Sequence, residues 1–183
     1  ASPRRKELLE GTGLKFEVDA SDYEEDMSVR MEPHKLARFL SREKAKAIAE
    51  RHKNALIIAA DTFIVFKGRL LGKPHTGKEA TKMLEMLSSK SHSVITGYTV
   101  LDTGTKKVVT GSEETKVYFK RLSEKEIRNY VRTKEPLDKA GAYAIQGLGA
   151  VIVERIEGDF FNVVGLPLSA LVESLKKFGV QVL

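Results

Sequence analysis

At 183 residues the chain is long enough for one domain, or two lobes sharing a cleft, around a sizeable core. The absence of cysteine excludes a disulfide scaffold and a thiolate nucleophile. His34, His52, His75 and His92 lack the paired spacing of a zinc site, so any metal is expected to be a hard cation held by oxygen. The net charge of +6 suits nucleic acid or anionic small molecules, yet lysine and arginine are interspersed with acids instead of gathered in a tail. No signal peptide or membrane span is visible, and a soluble cytoplasmic protein is the default expectation.

In chain order, Ser2 is a good N-cap and Pro3 a good first helical residue, which predicts a helix running to Glu10. Leu14–Val18 is a short strand candidate, followed by the acidic stretch Asp22-Tyr23-Glu24-Glu25-Asp26. Pro33 to about His52 reads as a helix with Leu36, Leu40, Ala47 and Ile48 as its apolar stripe. The unbroken apolar run Ala55–Ala60 suits a central strand, and apolar character resumes in Phe63–Phe66. Gly77–Leu87 reads as a helix burying Ala80, Met83, Leu84 and Leu87. His92–Leu101 and Lys107–Phe119 read as paired strands joined through Asp102-Thr103-Gly104. Ser123 and Glu126 have capping-box spacing at the head of a helix ending near Arg132. The stretch 135–149 mixes polar, glycine and aromatic residues as ligand-facing loops do. Val151–Ile156 is a further strand, Gly158-Asp159 a turn, and Pro167–Phe178 a closing helix.

Four places carry chemistry. Arg4 and Arg5 put positive charge in the first turn of a helix, the end that disfavours cations, which makes sense for an anion such as phosphate bound there. Surface arginines on a short helix are the plain alternative. Lys44 lies at the edge of an apolar stripe, one turn from Leu40 and one from Ile48, either solvated or delivering its ammonium into a cleft. Asp61 is embedded between two apolar segments, where an unpaired charge is expensive, so a metal, a lysine or backbone N–H groups must compensate it. Lys73, held between Gly72 and Pro74, has a direction fixed by its turn and is a candidate phosphate contact. Neither the Gly-x-Gly-x-x-Gly fingerprint after a strand nor a Gly-rich run ending in Gly-Lys-Ser/Thr is present. Asp61 with one of Asp22, Glu24, Glu25 or Asp26 supplies enough carboxylates for one divalent ion completed by a nucleotide's oxygens.

Taken together, these pieces resemble the Maf family of nucleoside triphosphate pyrophosphatases. The matching segments are Ala1-Ser2-Pro3-Arg4-Arg5, Leu40–Ala45, Ala60-Asp61-Thr62, Leu71-Gly72-Lys73-Pro74, His92–Gly97, Glu135–Tyr143, Ile145-Gln146-Gly147 and Val164-Gly165-Leu166-Pro167, in order over nearly the whole chain. The resemblance implies one domain over residues 1–183 of mixed α/β class, a mixed sheet with flanking helices and two lobes around a nucleotide-binding cleft, of the Ham1-like, inosine triphosphatase-like kind. It also implies a homodimer and cleavage of a nucleoside triphosphate to the monophosphate and pyrophosphate with magnesium or manganese.

Carried over by position, Ser2, Arg4 and Arg5 fall in the family's phosphate site, and Glu25, next to Glu24, resembles its metal-binding acid. Lys44, Asp61 and Lys73 fall on its catalytic lysine, aspartate and second lysine, with Asp61 shared with the metal. Gln146 resembles the glutamine of the branch acting on dTTP and UTP, where the methylated-GTP branch tends to have an acid. Its amide both accepts and donates, as a thymine or uracil edge requires; a structural role tying down its own loop is the alternative. Two departures stand out. The apolar strand and serine that usually precede Ser-Pro-Arg-Arg are not in this sequence, and Leu87-Ser88-Ser89 stands where a glycine usually follows the serine.

Two other functional classes compete. A nucleic-acid-binding protein is disfavoured by dispersed charge and by aromatics at only 7%, too few for a base-stacking platform. A nucleotide sensor that keeps the cleft without turnover is separated from an enzyme by metal-dependent hydrolysis.

Overall fold

Eleven residues without a break, Leu56–Phe66, form strand β1, so the two apolar segments on either side of Asp61 are one strand and the aspartate sits inside it. The computed structural model describes residues 2–23 and 31–183. Helix α1 is Pro3–Glu10, capped by the Ser2 hydroxyl, which accepts from the Arg5 backbone N–H at 3.5 Å. Helix α2 is Pro33–Ala49. Strand β2 (Arg69–Leu71) returns antiparallel to β1 through Lys67 and Gly68, both at positive φ, the two-residue turn whose twist matches a hairpin. Helix α3 (Gly77–Leu87) has the predicted bounds and is capped by Thr76. Strands β3 (Ser91–Asp102) and β4 (Val108–Phe119) join through a turn in which Asp102 Oδ1 accepts from the Gly104 and Thr105 amides. Helix α4 (Glu124–Arg132) carries the full capping box of Ser123 and Glu126. Three 3-10 turns, Glu135–Asp138, Ala140–Ala142 and Gly147–Ile152, lead into β5 (Val153–Glu157), which pairs antiparallel with β4. Helices α5 (Phe160–Val164) and α6 (Leu168–Lys176) end the chain's regular structure.

The sheet order is β2-β1-β3-β4-β5, with helices accounting for the rest of the regular structure among the described residues, which gives the expected mixed α/β class. The chain divides into two compact units, one of Ala1–Thr62, Ile95–Glu113 and Gly165–Leu183 and the other of Phe63–Val94 and Glu114–Val164. The first has a core of Leu9, Ala60, Tyr98, Val100, Leu166, Leu171 and Leu175. In the second, Ile64 and Phe66 pack with Ala80, Leu84 and Leu87 of α3 and Ile127 and Tyr130 of α4. Among the described residues no helix is long and apolar enough to cross a membrane.

Three expectations change. Leu14–Val18 is not a strand. Leu14 and Phe16 do pack at the first core while Lys15, Glu17 and Val18 face solvent, but among the described residues no strand pairs with the segment, and alternation without a ladder leaves irregular backbone. The last strand begins at Val153, since residues 147–152 wind into a 3-10 turn over a buried Gly149. The buried face of α2 includes Ala37, Ser41 and Ala45 beside Leu36, Leu40 and Ile48, with Ala47 only half-buried. These small residues at four-residue spacing let the helix lie close on β3: a Cβ at Gly97 would stand 2.0 Å from the Ala37 carbonyl oxygen, and the Ser41 and Thr99 hydroxyls hydrogen-bond at 2.8 Å.

Candidate active site

Helix α2 and strand β1 place Lys44 and Asp61 together in the first unit. Lys44 Nζ donates to Asp61 Oδ1 at 2.5 Å, and both side chains are largely removed from solvent. Of the three ways to compensate a carboxylate inside an apolar strand, the structure supplies the lysine. The edge position of Lys44 makes that possible, because its aliphatic stem follows the apolar face before its ammonium turns away. A pair so largely removed from solvent fixes the Asp61 carboxylate, and removing Lys44 would take away this partner of a carboxylate set between apolar segments.

The residues flanking Asp61 are also held. Arg5, on the first turn of α1, donates from Nε to the Gly165 carbonyl at 2.7 Å, from Nη1 to the Ala60 carbonyl at 2.7 Å and from Nη2 to Thr62 Oγ1 at 2.8 Å. Thr62 Oγ1 in turn meets Thr96 Oγ1 at 2.9 Å. Thr62 and Thr96 stood in the quoted motifs without a role of their own. Their hydroxyls are legible only once the strands pair. Ser2 caps α1, and Arg4 is half-buried on the same turn.

Lys73 and Gln146 belong to the second unit. Lys73 is exposed in the segment after β2, where the Gly72 carbonyl accepts from the Gly141 amide at 3.0 Å. Gln146 is half-buried at the head of the third 3-10 turn, and its side chain makes no hydrogen bond among the described residues. The glycine-rich turn is tied down by Glu135 instead: its carboxylate accepts from the Leu148 and Gly149 amides at 3.3 and 3.0 Å and from the Tyr130 hydroxyl at 2.7 Å. The same unit buries His92 against Tyr143, with Nε2 2.8 Å from the phenol oxygen and the ring edge-on to Phe119. Burial pushes the imidazole down from 6.5 to about 4 and raises the Tyr143 phenol, so this motif histidine is a neutral core residue near pH 7.

Glu25, with its neighbours Glu24 and Asp26, lies outside the described residues. Among the described residues no group of three potential ligands from His, Cys, Asp and Glu comes together. Asp61 nevertheless suits a small hard cation. A carboxylate offers about four lone-pair sites, of which Lys44 takes one direction, and such a cation is typically held by one or two carboxylates plus substrate phosphates.

Residues 1–178 match the family model described as Maf-like protein. The chain belongs to the Maf family. A dTTP/UTP pyrophosphatase of Methanosarcina barkeri is 51% identical over 183 residues, covering 100% of this chain and 93% of that protein. A dTTP/UTP pyrophosphatase of Bacillus cereus is 46% identical over 181 residues, covering 99% and 94%. For a Maf protein the geometry sorts the sequence candidates into distinct situations: Lys44 and Asp61 are engaged with each other, Arg5 is engaged with β1 and Gly165, and Gln146 has its amide uncommitted among the described residues.

Proposed function

We propose that this chain hydrolyses nucleoside triphosphates between the α- and β-phosphates, preferentially dTTP and UTP, to the nucleoside monophosphate and pyrophosphate. The observation that carries this reading is the pair that Lys44 of α2 forms with Asp61 inside β1, a preorganised charge pair in a chain about half identical to two dTTP/UTP pyrophosphatases over nearly its full length. Asp61 orients the attacking water and takes its proton, and the hydrogen bond from Lys44 keeps that carboxylate aimed. Arg4 and Lys73 neutralise charge on the phosphoryl oxygens and the leaving pyrophosphate, and Ser2, through its cap, keeps the first turn of α1 formed beside Arg4. A divalent cation, Mg2+ or Mn2+, would be held by Asp61 with Glu25 and, when bound, supplies charge neutralisation and a lowered water pKa.

Gln146 is the selectivity residue in this reading. Its amide presents an acceptor and donors together, the complement of the alternating carbonyl and N–H edge of thymine or uracil, whereas a glutamate accepts only. That Glu135, not Gln146, secures the loop amides supports it. The test is kcat/KM for dTTP, UTP, CTP, GTP and 7-methyl-GTP in wild type and Gln146→Glu. The substitution should lower dTTP and UTP selectively, because mismatching a buried polar contact leaves groups unpaired. A wild-type preference for 7-methyl-GTP, or an equal loss on every substrate, would remove Gln146 from this role. The homodimer implied by the family resemblance belongs to the same proposal and is read from the particle mass in solution.

A further inference from the structure

By charge and motif Arg5 belongs with Arg4 as a phosphate contact, but its bonding is of another kind. Three N–H groups of one planar fork reach three acceptors contributed by two distant chain segments, Gly165 on one side and Ala60 and Thr62 on the other. Ala60 and Thr62 are the immediate neighbours of Asp61. Successive strand residues alternate in direction, so a group that fixes residues 60 and 62 fixes the direction in which the side chain of residue 61 leaves the strand. The hold extends to β3 through the Thr62–Thr96 hydroxyl pair. Gly165, at φ +127, leaves room for it, since a Cβ there would stand 3.3 Å from Arg5 Nε and 3.6 Å from Thr62 Oγ1.

We propose that Arg5 is a positioning residue: it clamps β1 on both sides of Asp61 and so sets the carboxylate against Lys44. The inference rests on the proposed function only for the chemistry given to Asp61. Charge-assisted bonds to two carbonyls and a hydroxyl make the clamp stiff. A lysine cannot replace it, because an ammonium donates from one point while these acceptors lie around a planar fork. A phosphate contact differs in this respect, since a lysine preserves most of the charge attraction.

The experiment compares wild type, Arg5→Lys and Arg5→Ala by two readouts. The first, without nucleotide, is amide hydrogen exchange across residues 56–66. Both variants should exchange faster around positions 60–62 by about tenfold, the scale of one lost charge-assisted hydrogen bond. The second is steady-state hydrolysis of dTTP. Here kcat should fall by about 100-fold, the effect of a misplaced catalytic group, while KM stays within about threefold and Arg5→Lys is as impaired as Arg5→Ala. Unchanged exchange overturns the proposal, and so does a risen KM with unchanged kcat that Arg5→Lys restores, which would make Arg5 a substrate contact. If Arg5→Ala does not fold, Arg5→Lys carries both readouts. A wild type inactive on dTTP would sink the functional reading alone, and the exchange comparison would still decide whether Arg5 clamps the strand.

Discussion

Replacing Gly97 by alanine tests how the fold delivers Lys44 to Asp61. The added Cβ would lie 2.0 Å from the Ala37 carbonyl oxygen, 2.2 Å from its carbonyl carbon and 2.8 Å from the Arg38 nitrogen. All three are backbone atoms of α2, so no rotamer change relieves the clash. Ordinary contact begins near 3.4 Å, and the helix must therefore retreat from β3 by about 1.4 Å. Overpacking of this severity costs about 3 kcal/mol, at the upper end of its usual range. For a chain of this size that corresponds to a fall in Tm of roughly 6–12 °C. Lys44 lies two turns along the same helix from Ala37, and a displacement of that size misplaces its ammonium, which is worth about 100-fold in kcat. Thermal unfolding by circular dichroism and dTTP hydrolysis at a temperature where the variant is folded measure the two effects. A Gly97→Ala protein with wild-type Tm and kcat would refute both the helix–strand contact and its bearing on Lys44.

Asp61→Asn keeps an oxygen to accept from Lys44 but removes the base. Turnover should therefore drop by about 10²- to 10⁴-fold with an unchanged far-UV spectrum, and a variant within tenfold of wild type would dismiss Asp61 as the base. His92 gives the stability a specific acid limb. Its folded pKa of about 4 lies below the ordinary 6.5, so its contribution is complete above pH 6.5 and is lost as pH falls toward 4, because the unfolded chain takes up the proton first. Between pH 7 and pH 4.5 the loss is about 2 kcal/mol, measured as urea stability at the two pH values. The fall should be correspondingly shallower in His92→Phe, and equal slopes in the two proteins would contradict the assignment.

Much of this was legible because local rules and tertiary context agree. Helix α3 and the capping box of α4 follow from apolar spacing and caps alone, and the apolar flanks of Asp61 announce both a strand and the need for a partner. Lys44 was readable only as a side chain at the edge of the stripe on α2 that could reach into a cleft; that it meets Asp61 emerges once α2 lies beside β1. What was not legible depends on segments remote in sequence. Leu14–Val18 alternates like a strand, but only a neighbour can make it one. The hairpin to β2 turns on Lys67-Gly68, a weaker signal than Asn-Gly. The bonding of Arg5 escaped for the same reason: its position on a helix N-terminus suggests an anion, while its acceptors lie 55 to 160 residues away. The closeness of α2 to β3 is written in Gly97, Ala37, Ser41 and Ala45 together and in none of them singly.

The proposed reaction is tested most directly by identifying the products formed from dTTP with Mg2+ present. Resolved by anion-exchange chromatography with phosphate detection, the wild type should yield dTMP and pyrophosphate in equal amounts, and Asp61→Asn should yield neither at a comparable rate. Release of dTDP and orthophosphate would contradict cleavage between the α- and β-phosphates.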